Sequence, residues 1–142
     1  MSLITGVHHA GFSVPDLEQA LQFFTEVLGF ELLSQGALPT PDDPIAEQFD
    51  VEPDESVRFA FLKAGSDTIE LIEWASPRQQ RQMPRNVDWG GRHLALKTSG
   101  LEQTLARLRA VPGVRILKPR GERFVYVQTP FGMYLQLMAP NA

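Results

Sequence analysis

The sequence predicts an α+β protein made from two copies of one βαβββ module. The first ground is internal repetition. A shift of 84 residues lays HAGFSVPDLEQAL, from His9, over HLALKTSGLEQTL, from His93, without a gap. Leu17-Glu18-Gln19 then falls on Leu101-Glu102-Gln103, Leu21 on Leu105, Phe24 on Leu108, Gly29 on Gly113 and Leu33 on Leu117. The second ground is periodicity: each copy opens with strand-like alternation and passes into an apolar stripe at helical spacing. The third is size. At 142 residues, 43% hydrophobic and 21% charged, the chain suits one domain with a buried core and disfavours disorder, collagen and coiled coil. A long repeat occurring only twice reads as paired supersecondary units within a single domain, residues 1–142, with module 1 at about 5–76 and module 2 at about 90–140.

Each element follows from local pattern. The opening strands are expected at 8–14 and 92–98. Asp16 with Gln19, and Ser99 with Glu102, have the spacing of a capping box. Leu17, Leu21, Phe24 and Leu28, then Leu101, Leu105 and Leu108, give the apolar stripes of two helices, which Gly29 and Gly113 end. Three strands complete each module, at 30–35, 56–63 and 68–74 in the first and 114–118, 123–129 and 133–139 in the second. The closing hairpins superpose with a shift of 66, so 18 residues are inserted in module 1. They lie in GALPTPDDPIAEQFDVEPDE, a proline-rich acidic stretch expected as a solvated surface loop, with a lid over a pocket as the alternative.

Composition narrows the function. A net charge of -4, with 17 acids against 13 bases and no Lys or Arg cluster longer than a dipeptide, argues against nucleic acid and for a small-molecule substrate. No apolar run approaches the ~20 residues that cross a bilayer, and no signal pattern opens the chain, so no membrane partner and a cytoplasmic location are expected. Without cysteine, any metal must be held by histidine and oxygen donors.

Strand parity gathers such donors. His9, Gly11 and Ser13 oppose Phe12 and Val14; His93, Ala95 and Lys97 oppose Leu94 and Leu96. Glu70 opposes Ile69 and Leu71, and Gln136 opposes Leu135 and Leu137. His9, Glu70, His93 and Gln136 therefore point away from the helix-packed face at repeat-equivalent positions. Two imidazoles, a carboxylate and an amide oxygen suit a first-row divalent ion: Fe, Mn, Co, Ni or Zn. His8 is expected on the opposite face as a structural residue. Trp74, Lys97, Tyr126 and Tyr134 are candidates for substrate contact. Arg85, Asn86 and Arg92 read as a charged solubilising loop, with an anionic substrate tail as the alternative, and Trp89-Gly90-Gly91 as a turn and packing element. No phosphate-binding glycine loop occurs, so NAD, FAD and ATP are not implied.

Together these features resemble the vicinal oxygen chelate superfamily, which includes glyoxalase I, methylmalonyl-CoA epimerase, extradiol dioxygenases and fosfomycin and bleomycin resistance proteins. HAGFSVPDLEQALQFFTEVLGFELL is similar to the family's first strand and helix, and TPFGMYLQLM to its last hairpin. PRNVDWGGRHLAL and the stretch from Gly113 to Tyr126 look most similar to its small cyclitol epimerases. The resemblance covers essentially the whole chain. It implies paired modules forming a curved mixed sheet around a cleft, a metal held by His9, Glu70, His93 and Gln136, and a homodimer. The departure is Gln136, where most members carry glutamate. A glutamine cannot serve as a base, which counts against two-base epimerisation through this pair.

The leading reading is metal-assisted proton abstraction next to a carbonyl, with Glu70 as the catalytic base: epimerase, isomerase or glyoxalase I-like lyase chemistry. The second donor needed to invert a stereocentre would be water, Lys97 or Tyr134. An extradiol ring-cleaving dioxygenase is the alternative that two histidines and a carboxylate bring to mind, although the extradiol enzymes take their carboxylate from the strand that carries Gln136 here. A non-catalytic antibiotic or small-molecule binding protein of the bleomycin-resistance type is the third reading.

Overall fold

The computed structural model describes residues 2–142. The chain divides into two compact units, Met1–Gln80 and Arg81–Ala142. In the first unit, β1 (Ala10–Ser13) leads into α1 (Leu17–Gln22), which continues as a π-helical stretch, Phe23–Val27. β2 (Glu31–Leu38), a short α2 (Ala46–Phe49), β3 (Ser56–Ala64) and β4 (Asp67–Ala75) follow. The second unit holds β5 (Leu94–Lys97), α3 (Leu101–Arg109), β6 (Arg115–Ile116), β7 (Phe124–Gln128) and β8 (Tyr134–Met138). The two sheets share one topology, β1-β4-β3-β2 and β5-β8-β7-β6. In each, the first strand lies parallel to the last and the remaining pairs are antiparallel. The duplicated βαβββ expectation thus holds, with some strand ends one to two residues shorter than alternation suggested.

Capping explains the helix positions. Asp16 is the N-cap of α1, and its Oδ1 accepts from the Gln19 N–H at 2.9 Å. Glu73 of β4 accepts from the Leu17 N–H at 3.3 Å, so the sheet itself holds a second orphan donor of that helix. Arg58, across the β3–β4 ladder from Glu73, pairs with it at 3.1 Å and also with Glu18. The guanidinium holds the Glu18 carboxyl below its usual range. At the far end Gly29, with φ +79°, supplies the left-handed turn that returns the chain to β2.

The second helix departs from its expected cap. Gly100, not Ser99, is the N-cap of α3 and has no side chain to offer. The half-buried Thr98 hydroxyl replaces the capping box, bonding the Gly100 N–H at 3.1 Å and the Thr104 hydroxyl at 2.7 Å.

Cores follow the predicted stripes. Leu17 of α1 and Phe24 of the π-helical stretch that continues it are buried, as are Leu62 and Leu71 of the sheet that α1 packs on. Leu105 and Leu108 of α3 are buried, as are Val125, Val127, Leu135 and Leu137. The inserted stretch is more ordered than a plain loop: β2 extends through Leu38, α2 occupies 46–49, and Ile45, only 3% exposed, anchors it. Burial of one apolar residue outweighs the acidic character of its neighbours. Among the described residues no helix is long and apolar enough to cross a membrane.

Candidate metal centre

The first unit brings two of the four expected donors together. Glu70 lies in mid-β4, across the parallel ladder from Gly11, on the face opposite buried Ile69 and Leu71. His9 immediately precedes β1, and its Nε2 comes to 3.6 Å from Glu70 Oε1. That separation is too long for a hydrogen bond. Two donors each about 2.1 Å from one ion, subtending about 90–109°, lie about 3.0–3.4 Å apart. A small side-chain adjustment would make this imidazole and carboxylate a chelating couple, and their types are those that first-row divalent ions take. Both side chains keep solvent access, at 33% and 19% exposure, so an ion or a substrate can reach them.

The second unit repeats the plan. Gln136 in β8 has Ala95 across the parallel ladder and Tyr126 across the antiparallel one. His93 immediately precedes β5, and its ring meets that of Tyr126 at 5.3 Å between centroids with an 88° interplanar angle. Tyr126 is thus neighbour to both donors of this half.

In the first unit the matching position is filled by Phe61, which lies across the ladder from Glu70 and meets the His9 ring at 5.1 Å and 86°. Phe59 backs Phe61 at 5.9 Å, as Phe124 backs Tyr126 at 5.8 Å. Phe61 is absent from the residues singled out in the sequence. Its signal was the repeat of RFAFL at 58–62 by RFVYV at 123–127.

Each unit therefore carries two of the expected donors. Among the described residues, no group of three or more His, Asp or Glu side chains is arranged to hold a metal ion.

The other candidates are distributed as follows. Trp74 shares the strand parity of Glu70, and its ring lies 6.3 Å from Phe49 of α2, so the inserted segment packs against it. Tyr134 is half-buried, two residues before Gln136 and of the same parity. Lys97 is exposed at the end of β5, across from Met138.

Two expectations need correction. His8 does not occupy the opposite face. Regular strand begins only at Ala10, so alternation does not govern residues 8 and 9, and His8 Nδ1 lies 2.7 Å from His9 Nδ1. Trp89 does form part of a turn but does not pack: its side chain is fully exposed, with Val87 78% exposed beside it. The reason is the loop's own bonding. Arg85 donates to Asp88 at 3.0 and 3.2 Å, and the Gly91 N–H bonds to the Asp88 carbonyl at 2.8 Å. This clamp holds the Asp88 carboxyl below its usual range and engages the guanidinium that was a candidate for an anionic substrate tail.

Comparison with known proteins agrees with this architecture. A relative from an Actinomyces species, named 2-epi-5-epi-valiolone epimerase, is 43% identical over 142 aligned positions, covering 93% of this chain and 78% of the relative. Among solved structures, a glyoxalase family protein from Bacillus cereus matches with a TM-score of 0.80 at 15% identity, covering 97% of this chain and 95% of that one. Glyoxalase I from Leishmania major matches at 0.70 and 21% identity, covering 97% and 88%. A fosfomycin resistance protein from Listeria monocytogenes, solved with manganese(II) and a dihydroxypropylphosphonic acid, matches at 0.64 and 18% identity, covering 96% and 93%. At these identities the three structures speak for the fold. With its paired βαβββ units and a family model that spans residues 6–137, the chain belongs to the Glyoxalase/Bleomycin resistance protein/Dioxygenase superfamily.

Proposed function

We propose that this protein is a divalent-metal-dependent epimerase that removes and returns a proton at the carbon next to the carbonyl of a cyclic polyhydroxy ketone. An enzyme of the isomerase or epimerase kind follows from the 43% identity, over most of the chain, to a relative named for that activity. The observation that carries the metal is the 3.6 Å spacing of His9 Nε2 and Glu70 Oε1. His93 and Gln136 complete the donor set in this reading, and Fe, Mn, Co, Ni or Zn all suit it. Such an ion would supply Lewis-acid polarisation of the carbonyl, acidifying the neighbouring carbon.

The chain's own groups do the rest. Glu70, as the carboxylate of the set, takes the proton; the Gln136 amide cannot. Inversion requires return of a proton to the opposite face, from water, Lys97 or Tyr134. Trp74, Tyr126 and Tyr134 offer half-buried aromatic surface for the carbon ring of the substrate.

The two units form one functional domain, 1–142, in this reading, and the enzyme works in the cytoplasm as a homodimer. The homodimer draws support from Val87 and Trp89, held exposed on a clamped loop just before β5, an edge strand of its sheet. A fixed, exposed tryptophan with an exposed valine beside it is suited to burial by a second copy.

The test is elemental analysis of the purified protein, followed by turnover of 2-epi-5-epi-valiolone in deuterium oxide. About one first-row metal ion per chain, deuterium at the epimerised carbon and loss of turnover on chelation are expected. Turnover that survives complete metal removal would end the metal reading, and oxygen consumption with ring opening would favour the dioxygenase alternative.

A further inference from the structure

We propose that His8 is a positioning residue: by accepting a hydrogen bond from His9 Nδ1, it keeps the His9 Nε2 lone pair available to an incoming cation. The inference rests on the reading of His9 as a metal ligand. Its geometry lies wholly within the first unit. His8 Nδ1 and His9 Nδ1 are 2.7 Å apart, and the two rings meet at 5.0 Å with a 78° interplanar angle. The opposite nitrogen of His9, Nε2, faces Glu70 Oε1 at 3.6 Å. Phe61 flanks the same ring edge-to-face at 5.1 Å. The imidazole is therefore flanked by a nitrogen on one side and an aromatic ring on another, with Nε2 facing a carboxylate.

Two neutral imidazole nitrogens at hydrogen-bond distance share one proton, which leaves two arrangements. If His8 Nδ1 holds the proton, His9 must carry its own on Nε2, directed at Glu70, and that nitrogen cannot bind a cation. If His9 Nδ1 holds it, His9 Nε2 presents a lone pair toward Glu70, and His8 carries its proton on Nε2. Passing from the first to the second moves the His9 proton from Nε2 to Nδ1 and the His8 proton from Nδ1 to Nε2 through solvent. No proton is gained or lost. Both residues are exposed, so water reaches them. A ligating histidine commonly has its other ring nitrogen fixed by an acceptor; here the preceding residue is placed to be that acceptor.

Three variants test this, with zinc alone as the probe. His8→Phe keeps a ring but removes the acceptor. His8→Asn places an amide oxygen near the position of the lost nitrogen. His9→Ala checks the underlying reading. Zinc affinity of His8→Phe should fall about 10- to 100-fold while His8→Asn recovers most of it. Nitrogen-15 NMR of the metal-free protein should show His9 protonated predominantly on Nδ1 in the wild type and a mixture in His8→Phe; a wild-type His9 protonated predominantly on Nε2 overturns the proposal. The proposal is overturned if His8→Phe matches the wild type in both measurements while His9→Ala loses zinc. If His9→Ala binds zinc as the wild type does, it is the ligand assignment that fails, and the inference with it.

Discussion

Gly11 faces Glu70 across the β1–β4 ladder, and a β-carbon at position 11 would lie 3.5 Å from Glu70 Oε1 and 3.3 Å from Ile72 Cδ1. The first distance is ordinary contact; the second needs a small give from a flexible side chain. Gly11→Ala should therefore stay within a fewfold of wild-type kcat/KM. A branched side chain would push Glu70 away from His9, and Gly11→Val should lose about 100-fold, the scale of a displacement near 1 Å at a reacting group. Circular dichroism melts should show that the fold survives. Equal activity in both variants would mean that the Glu70 position is not critical.

Glu70→Gln keeps the size of the side chain and removes its charge. As the only carboxylate in the proposed donor set, Glu70 should account for a loss of about 10²- to 10⁴-fold in kcat, typical of a general base. Solvent deuterium exchange into the substrate should fall in step with turnover. Exchange retained at the wild-type rate would assign the base elsewhere.

The clamp on the loop before β5 should depend on acid. Arg85 depresses the Asp88 pKa below its ordinary value of 3.8. A carboxyl with a lowered folded pKa stabilises the folded loop above its unfolded value, and the effect is lost as pH falls through the folded one. Hydrogen exchange at Gly91, whose N–H bonds to the Asp88 carbonyl, should stay protected near neutrality. Protection relative to intrinsic exchange should fall only below the unfolded carboxyl range. In Asp88→Asn the protection should be low already at neutral pH.

Helix caps separate residues that sequence spacing treats alike. Asp16→Ala removes an observed N-cap bond and should cost about 1 kcal/mol. Ser99→Ala should be close to silent, because the cap of α3 is Gly100. Thr98→Val removes the hydroxyl that bonds Gly100 and Thr104 and should cost about 0.5–1.5 kcal/mol. Urea unfolding of the three variants checks the order.

In the proposed homodimer, Trp89 and Val87 should anchor the second copy. Replacing both by serine should shift the protein toward monomer in sedimentation or light scattering without lowering its melting point when measured as a monomer. An unchanged oligomeric state would place the dimer contact elsewhere.

The sequence by itself determined the duplicated βαβββ order, the buried stripes and the strand parity of Glu70 and Gln136. Those features are local and periodic: a side chain's face follows from counting along a strand, and the 84-residue repeat fixes one module from the other. Parity stopped working at His8 and His9, because alternation holds only inside a paired strand and this one starts at Ala10. The folded structure alone decided that Phe61 flanks His9, a long-range contact, and that Thr98 stands in for a capping box and Trp89 is exposed rather than packed, both set by local loop geometry. The 58–62 and 123–127 repeat hinted at Phe61, but its contact with His9 depends on which strand lies across the ladder, and the other two depend on how a loop bends out of regular structure, where strand and helix periods carry no information.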